Sequence, residues 1–356
     1  MYKIAADRAQ FIINRLLGSV TMNKRHGRQT IELSEGPYII SCAAVVGAKE
    51  GEGPLRDSFD MIVSDDKMGQ KSWDLAEGAL QKTAVEIALK KAKLKNKDID
   101  YILSGDLQNQ CAATHYGLRE MDIPFLGLYG ACSTMIESLS VGAFLIGGNY
   151  AKHTVCLTSS HFCSAEKQFR NPLEYGGQRT PTAQWTATAS GAAVLAKNGS
   201  GMRITHVTTG KIIDKGITDI SNMGAAMAPA ALDTIAGHFK DTGFTPDDYD
   251  LILTGDLGIT GSEILCDLIR KEGYDIEKKH NDCGKMLYDI DKQDVHAGGS
   301  GCGCCASVLC GHILKEMKNG KYKRILVAAT GALMNPLTVL QGESIPTISH
   351  AVTISA

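Results

Sequence analysis

One hydrophobic pattern occurs twice along this chain. At 98–107, DIDYILSGDL, an acidic turn opens into a short apolar run that stops at Gly-Asp; at 248–257, DYDLILTGDL, the same order returns. A brief apolar run between turn residues predicts a buried strand of a parallel sheet. Each copy continues alike. Cys132 is followed by a helical stretch, 133–152, and the strand HTVCLTSS at 153–160; the Cys302–Cys305 cluster is followed by a helical stretch, 306–323, and the strand RILVAATG at 324–331. Small-residue turn, cysteine, helix, glycine, basic residue and strand recur in that order, which points to duplication.

Apolar residues at helical spacing predict a helix over 72–94 capped by Ser72, and a counterpart over 223–239 that Pro229 kinks or restarts. Strands at 37–47, 190–198 and 202–210 fill the rest. Alternating strands and helices predict parallel sheets covered by helices, an α/β class with two similar halves, 29–200 and 201–356. Residues 1–28 stand outside the halves as an extension expected to be dispensable. Within it, Ala5, Ala9, Ile12, Ile13, Leu16 and Leu17 can share one helix face, which would suit a membrane surface. Met22 offers a second start, and 1–21 then read as upstream sequence of little function.

Composition narrows the function classes. Over 356 residues, 44% hydrophobic and 21% charged content suit a globular chain, and a formal charge of −2 exerts no pull toward nucleic acid. No apolar run is long enough to span a bilayer, and the N-terminus has no secretory signal, so folding in the cytosol is expected. Eleven cysteines then read as reduced thiols. GCGCC at 301–305, with Cys283 and Cys310, suggests a metal, but the paired spacing of zinc ligands is missing. These cysteines read as small buried apolar residues, and no metal is expected.

The segment LYGACSTMIESL, 128–139, sets Cys132 where a helix should begin. A thiol needs help to react at neutral pH, and helix-end N–H groups supply some; those of Cys132 and Ser133 could equally hold a ligand carboxylate. Asp106 and Asp256, each after a Gly at the repeated strand ends, read as turn or cap residues.

GACST before a long helix, SGAAVL closing the first half, and the duplication itself resemble the thiolase superfamily, including the ketoacyl synthases. That resemblance implies a layered αβαβα sandwich and, by analogy, a homodimer through the sheet edges of the first halves. Synthases of this kind carry a histidine in a PHQAN-like segment and an asparagine in a GNTSAAS-like one. Here the aligned positions are Gly255 in LTGDLGIT and Cys302 in GCGCCAS, so both partners are missing and condensation should be severely impaired. HAGGSGCGC, 296–304, echoes a thiolase segment, with His296 and Cys302 or Cys304 as candidates, which keeps an acyltransferase acting through acyl-Cys132 as the alternative.

Longer blocks, EGPLRDSFD, GDLQNQ, FLGLYGACSTMIES, AEKQFRNPLEYGGQRTPTAQWTATASGAAVL, GITDISNMGAAMAPAALDTI and KHNDCG, resemble the stage V sporulation protein AD family of endospore-forming bacteria. The resemblance implies a fold used to bind dipicolinic acid during its uptake into the developing spore. It also implies peripheral association with the spore inner membrane through membrane subunits of the same complex. Dipicolinate is a flat pyridine with two carboxylates, often carried with calcium, and a pocket for it needs N–H donors, a cationic clamp and apolar walls. The segment 159–179 offers His161, Lys167, Arg170, Tyr175 and Arg179, and Arg170 is the preferred clamp because its planar fork matches a carboxylate. Cys132, Ser133, His161, Lys167, Arg170 and His296 are therefore the expected ligand-binding set. The duller readings are a structural histidine for His161, a solvated face for Lys167 and Arg170, and a loop for His296. A scaffold with a vestigial pocket is the third functional reading.

Overall fold

The computed structural model describes residues 23–169 and 179–356. Ten strands carry the fold, five from each half. In the first half, β1 is Tyr38–Val46, β2 Tyr101–Ser104, β3 Phe125–Gly127, β4 His153–Ser160 and β5 Ala189–Ala196, ordered β1-β5-β4-β2-β3. In the second, β6 is Arg203–Thr208, β7 Leu251–Thr254, β8 His280–Asp282, β9 Arg324–Ala332 and β10 Thr347–Ser355, ordered β6-β10-β9-β7-β8. The strand senses match position for position. The two sheets join through the single pair Arg203↔Tyr38.

The sheets are mixed, where the alternation of elements predicts parallel ones. Among the ten strands, β3-β2-β4 and β8-β7-β9 run parallel; β5 and β10 return antiparallel to both neighbours. A parallel partner requires a crossover that carries the chain back along the sheet. Between β9 and β10 the only helix is Pro336–Leu340, too short for that return.

Six helices build the layers. They are α1 (Trp73–Ala92), α2 (Thr134–Gly147), α3 (Phe162–Phe169), α4 (Met223–Thr242), α5 (Gly258–Lys271) and α6 (Cys302–Val308). The α1 helix begins where Ser72 Oγ accepts from Leu75 N–H at 3.3 Å, and it covers the outer face of the first sheet. On the outer face of the second sheet lies α4, started by Asn222 accepting from Ala225 N–H at 3.2 Å. It runs unbroken through Pro229, since burial of Met227, Ala230 and Ala231 outweighs one lost hydrogen bond. Between the sheets lie α2 and α6, whose Met135, Leu139, Cys305 and Val308 share one core with Leu195 and Val327. The five layers are the expected αβαβα sandwich.

That central layer is built from small residues. A Cβ on Gly191 of β5 would lie 2.2 Å from the Ala306 carbonyl oxygen, and one on Gly303 would lie 2.4 Å from that of Ala189. Backbone therefore meets backbone where α6 crosses β5. Cysteine serves as another small apolar residue here: Cys302, Cys304, Cys305 and Cys310 are all buried.

A boundary at residue 28 falls inside a hairpin. Lys24–His26 pairs with Thr30–Glu32, which adds to β6, and the Asp241 carboxylate accepts from the N–H groups of Arg28, Gln29 and Thr30. The proposed surface helix of 1–21 lies outside the described residues.

Candidate functional site

Cys132 sits where the chain leaves the first sheet and starts α2. Ala131 adopts the left-handed region at φ 51°, which turns the chain sharply, and Ala131–Ser133 form one 3-10 turn. A Cβ on Gly331 of β9 would lie 2.2 Å from the Gly130 carbonyl, so the second half's strand braces this turn from behind. Ser133 N–H and Oγ both donate to the Gly130 carbonyl, at 3.2 and 2.6 Å, and the Thr134 N–H bonds to Ala131. The expectation that Ser133 N–H receives a ligand carboxylate is thus corrected, because the tight turn consumes that donor internally.

The thiol lines a cavity of about 210 Å³ between the halves. The first half supplies Leu107, Tyr129, Ala131, Cys132 and Thr186. The second supplies Met223, Ser300 and the run Ala332–Asn335. The walls are mostly apolar, and the described lining holds no cationic side chain.

Behind the thiol stands Asp256, which follows β7. Its Oδ2 accepts from Gly301 N–H at 2.9 Å and Ser300 Oγ at 3.1 Å. Oδ1 is buried with no well-formed hydrogen bond, and the Cys132 thiol is the group that the carboxyl approaches. Burial pushes the thiol well above its ordinary range, with Asp256 and then Cys302 adding to the shift. Burial likewise raises Asp256, to about 7; contact with the thiol opposes this and the Asp282 charge adds to it. The help that a helix end could give a thiolate is overridden, and at neutral pH Cys132 keeps its proton.

A Cβ at Gly255 would sit 3.1 Å from the Ala329 backbone, facing the core; the side chain that this strand end aims at Cys132 belongs to Asp256. Cys302, at the start of α6, packs in one buried cluster with Cys132, Leu107 and Ala165. Its thiol is pushed far up by burial, with Glu77, Asp106 and Asp256 adding.

Of the six expected ligand residues, Cys132 alone lines the cavity within the described structure. Ser133 is buried beneath the turn. His161 is fully buried: Nε2 contacts the Asp66 carbonyl at 2.9 Å and Nδ1 accepts from Cys163 N–H at 3.1 Å, so both ring nitrogens are used by backbone. It is a structural histidine. His296 is half-buried at the surface, with Nδ1 2.7 Å from the Thr180 carbonyl and Nε2 3.0 Å from Asp294, away from the lining. Lys167 belongs to α3, but its side chain, like Arg170 and Tyr175, lies outside the described residues. Arg179 pairs with Asp294 at 2.6 Å. Asp106 is the turn residue its position suggests, accepting from Gln108 N–H and Thr114 N–H at 2.8 Å each. Among the described residues no group of three or more His, Cys, Asp or Glu is placed to hold a metal. No helix among them is long and apolar enough to cross a membrane.

Comparison with known structures defines the class first. The 3-oxoacyl-[acyl-carrier-protein] synthase III of Aquifex aeolicus VF5 matches with a TM-score of 0.54 at 13% identity, over 90% of this chain and 100% of that one. Human mitochondrial 3-ketoacyl-CoA thiolase in complex with CoA matches at 0.57 and 15% identity, over 91% and 99%. The architecture is thiolase-like. The family model for stage V sporulation protein AD (SpoVAD) covers residues 27–355. Stage V sporulation protein AD of Bacillus subtilis (strain 168) is 48% identical over 329 residues, 92% of this chain and 97% of that protein. The chain belongs to the stage V sporulation protein AD family.

Proposed function

We propose that this sporulation protein uses a thiolase-like cavity to bind dipicolinic acid without turning it over, and serves its uptake into the developing spore. The observation that carries the non-catalytic part is the state of Cys132: buried, protonated and facing an acid, where a condensing enzyme would activate the thiol. A small, mostly apolar cavity between the halves supports a flat aromatic ligand over a long acyl chain. The identity of the ligand rests on the family resemblance. In this reading Arg170 supplies the cationic clamp that the described lining lacks, calcium accompanies the ligand as its chelate or is left behind, and membrane subunits of the same sporulation complex hold the chain at the spore inner membrane. A homodimer forms along β3, the edge strand of the first sheet, where Leu126 is 39% exposed.

The competing reading, acyl transfer through Cys132, draws on the condensing enzymes among the structural neighbours. Calorimetry with dipicolinate, with and without calcium, set beside an assay with acyl- and malonyl-thioesters, separates the two. Saturable dipicolinate binding without ketoacyl product supports binding; turnover abolished by Cys132→Ala supports the enzyme.

A further inference from the structure

The binding reading leaves Asp256 without a task, yet the carboxyl spans the two halves at the cavity wall. The residue is 0% exposed. Ser300 and Gly301 hold Oδ2, while Oδ1 has no hydrogen-bond partner. An unanswered buried carboxylate oxygen is costly, and the Cys132 thiol is the neighbouring group able to answer it. Sulfur can donate through S–H or accept weakly, so the contact has two polarities.

We propose that Asp256 is a positioning residue for this cavity, its proton deciding which way the Cys132 S–H points. With the carboxyl ionised, S–H donates to Oδ1 and the sulfur lone pairs turn toward the cavity. With it protonated, the carboxyl O–H donates to Sγ, and the thiol proton is released to donate to an anion in the cavity. No covalent bond to carbon changes; one proton moves from solvent to Asp256 as the anion settles. The ionised form also leaves a negative charge behind the wall that repels a dicarboxylate. The identity of the anion rests on the binding reading above, whereas the orientation of the thiol does not.

Other titratable groups face Asp256. Cys302 and Cys304 lie on α6, and Asp282 closes β8. Asp282 has both oxygens engaged, by Leu257 N–H at 2.8 Å and by Gly258 and Gly284 N–H at 2.9 Å each. Asp256 is the one of the two with a free oxygen. Its burial-raised value of about 7 agrees with a proton exchanged near neutrality.

Two measurements test this together. The infrared S–H stretch of the ligand-free protein, taken as a difference against Cys132→Ala, is followed from pH 5.5 to 8.5; calorimetric affinity for dipicolinate is measured over the same range. The band should shift with a midpoint near 7, and affinity should fall by up to about tenfold per pH unit above it. Asp256→Asn keeps an acceptor for Ser300 and Gly301 and offers a fixed N–H to sulfur. It should hold the band at its acid position and flatten the affinity profile. A wild-type band that does not move, or one that moves alike in Asp256→Asn, overturns the proposal. A titrating band with no dipicolinate binding at any pH supports the switch and sinks the ligand reading instead.

Discussion

Cys132 and Asp256 come from opposite halves of a duplicated chain and meet at one buried contact, the thiol on the turn before α2 and the carboxyl at the end of β7. Neither half contains the cavity alone. The thiol is buried, next to an acid and protonated, a state poor for attacking a thioester.

Thiol reactivity follows directly. With its proton held by burial and by Asp256, Cys132 should alkylate with iodoacetamide at neutral pH far more slowly than a free exposed cysteine. Mass spectrometry of the labelled chain checks this. Labelling of Cys132 ahead of half-buried Cys42 and Cys163 would argue for an activated nucleophile.

The second prediction concerns the clamp. Arg170→Ala should weaken dipicolinate binding by roughly 1.5–3 kcal/mol, the scale of a hydrogen bond to a charged group. Picolinate, with one carboxylate, should bind the wild type more weakly than dipicolinate and lose less on the substitution. Equal losses for both ligands would move the second carboxylate away from Arg170.

Packing behind the site gives a third test. Gly331→Ala adds a methyl group where 2.2 Å separates it from the Gly130 carbonyl, so the Cys132 turn must shift or β9 must bend. The expected cost is about 1–3 kcal/mol of stability, together with weaker ligand binding from a residue outside the cavity lining. Unchanged affinity and melting temperature would mean that the turn is not braced by β9.

The fold was legible where local pattern decides it. The run ILS-Gly-Asp and its echo ILT-Gly-Asp mark β2 and β7, and Ser72 marks the start of α1. The sense of β5 and β10 was not, because an apolar strand looks the same in either direction. Asp256 was visible only as a turn residue, since Gly-Asp after a strand carries that signal whether or not a partner half supplies a thiol. Met223 and Ala332–Asn335 reach the cavity by tertiary packing and leave no local trace. His161 misled for the opposite reason: a histidine at a strand end near the site looks available, but backbone groups take both of its nitrogens.

Stability should depend on pH through buried acids and histidines of opposite sign. Burial raises Asp256 and Glu50 to about 7, Asp282 to about 6, and Glu77 as well. Groups with raised folded values bind protons more tightly when folded, so they lose stability as pH climbs from the unfolded carboxylate range through the folded value. Burial lowers His206 to about 4 and His238 to about 3, and these lose stability as pH falls below the unfolded value of about 6.5. From about pH 7.5 to 8.5 the histidines are neutral in both states, while the raised acids still lose stability as pH climbs, so the melting temperature should decline there and Glu77→Gln should shrink the decline. A melting temperature that rises over that interval, or an undiminished decline in the variant, would contradict the assignment.

The central claim is that dipicolinate occupies the cavity walled by Cys132, and calorimetry on Cys132→Trp tests it most directly. The indole should fill much of a space of about 210 Å³. The account predicts saturable dipicolinate binding to the wild type and none to Cys132→Trp, with the variant's circular dichroism spectrum unchanged. Full-strength binding to a folded Cys132→Trp would place the ligand elsewhere and contradict the account.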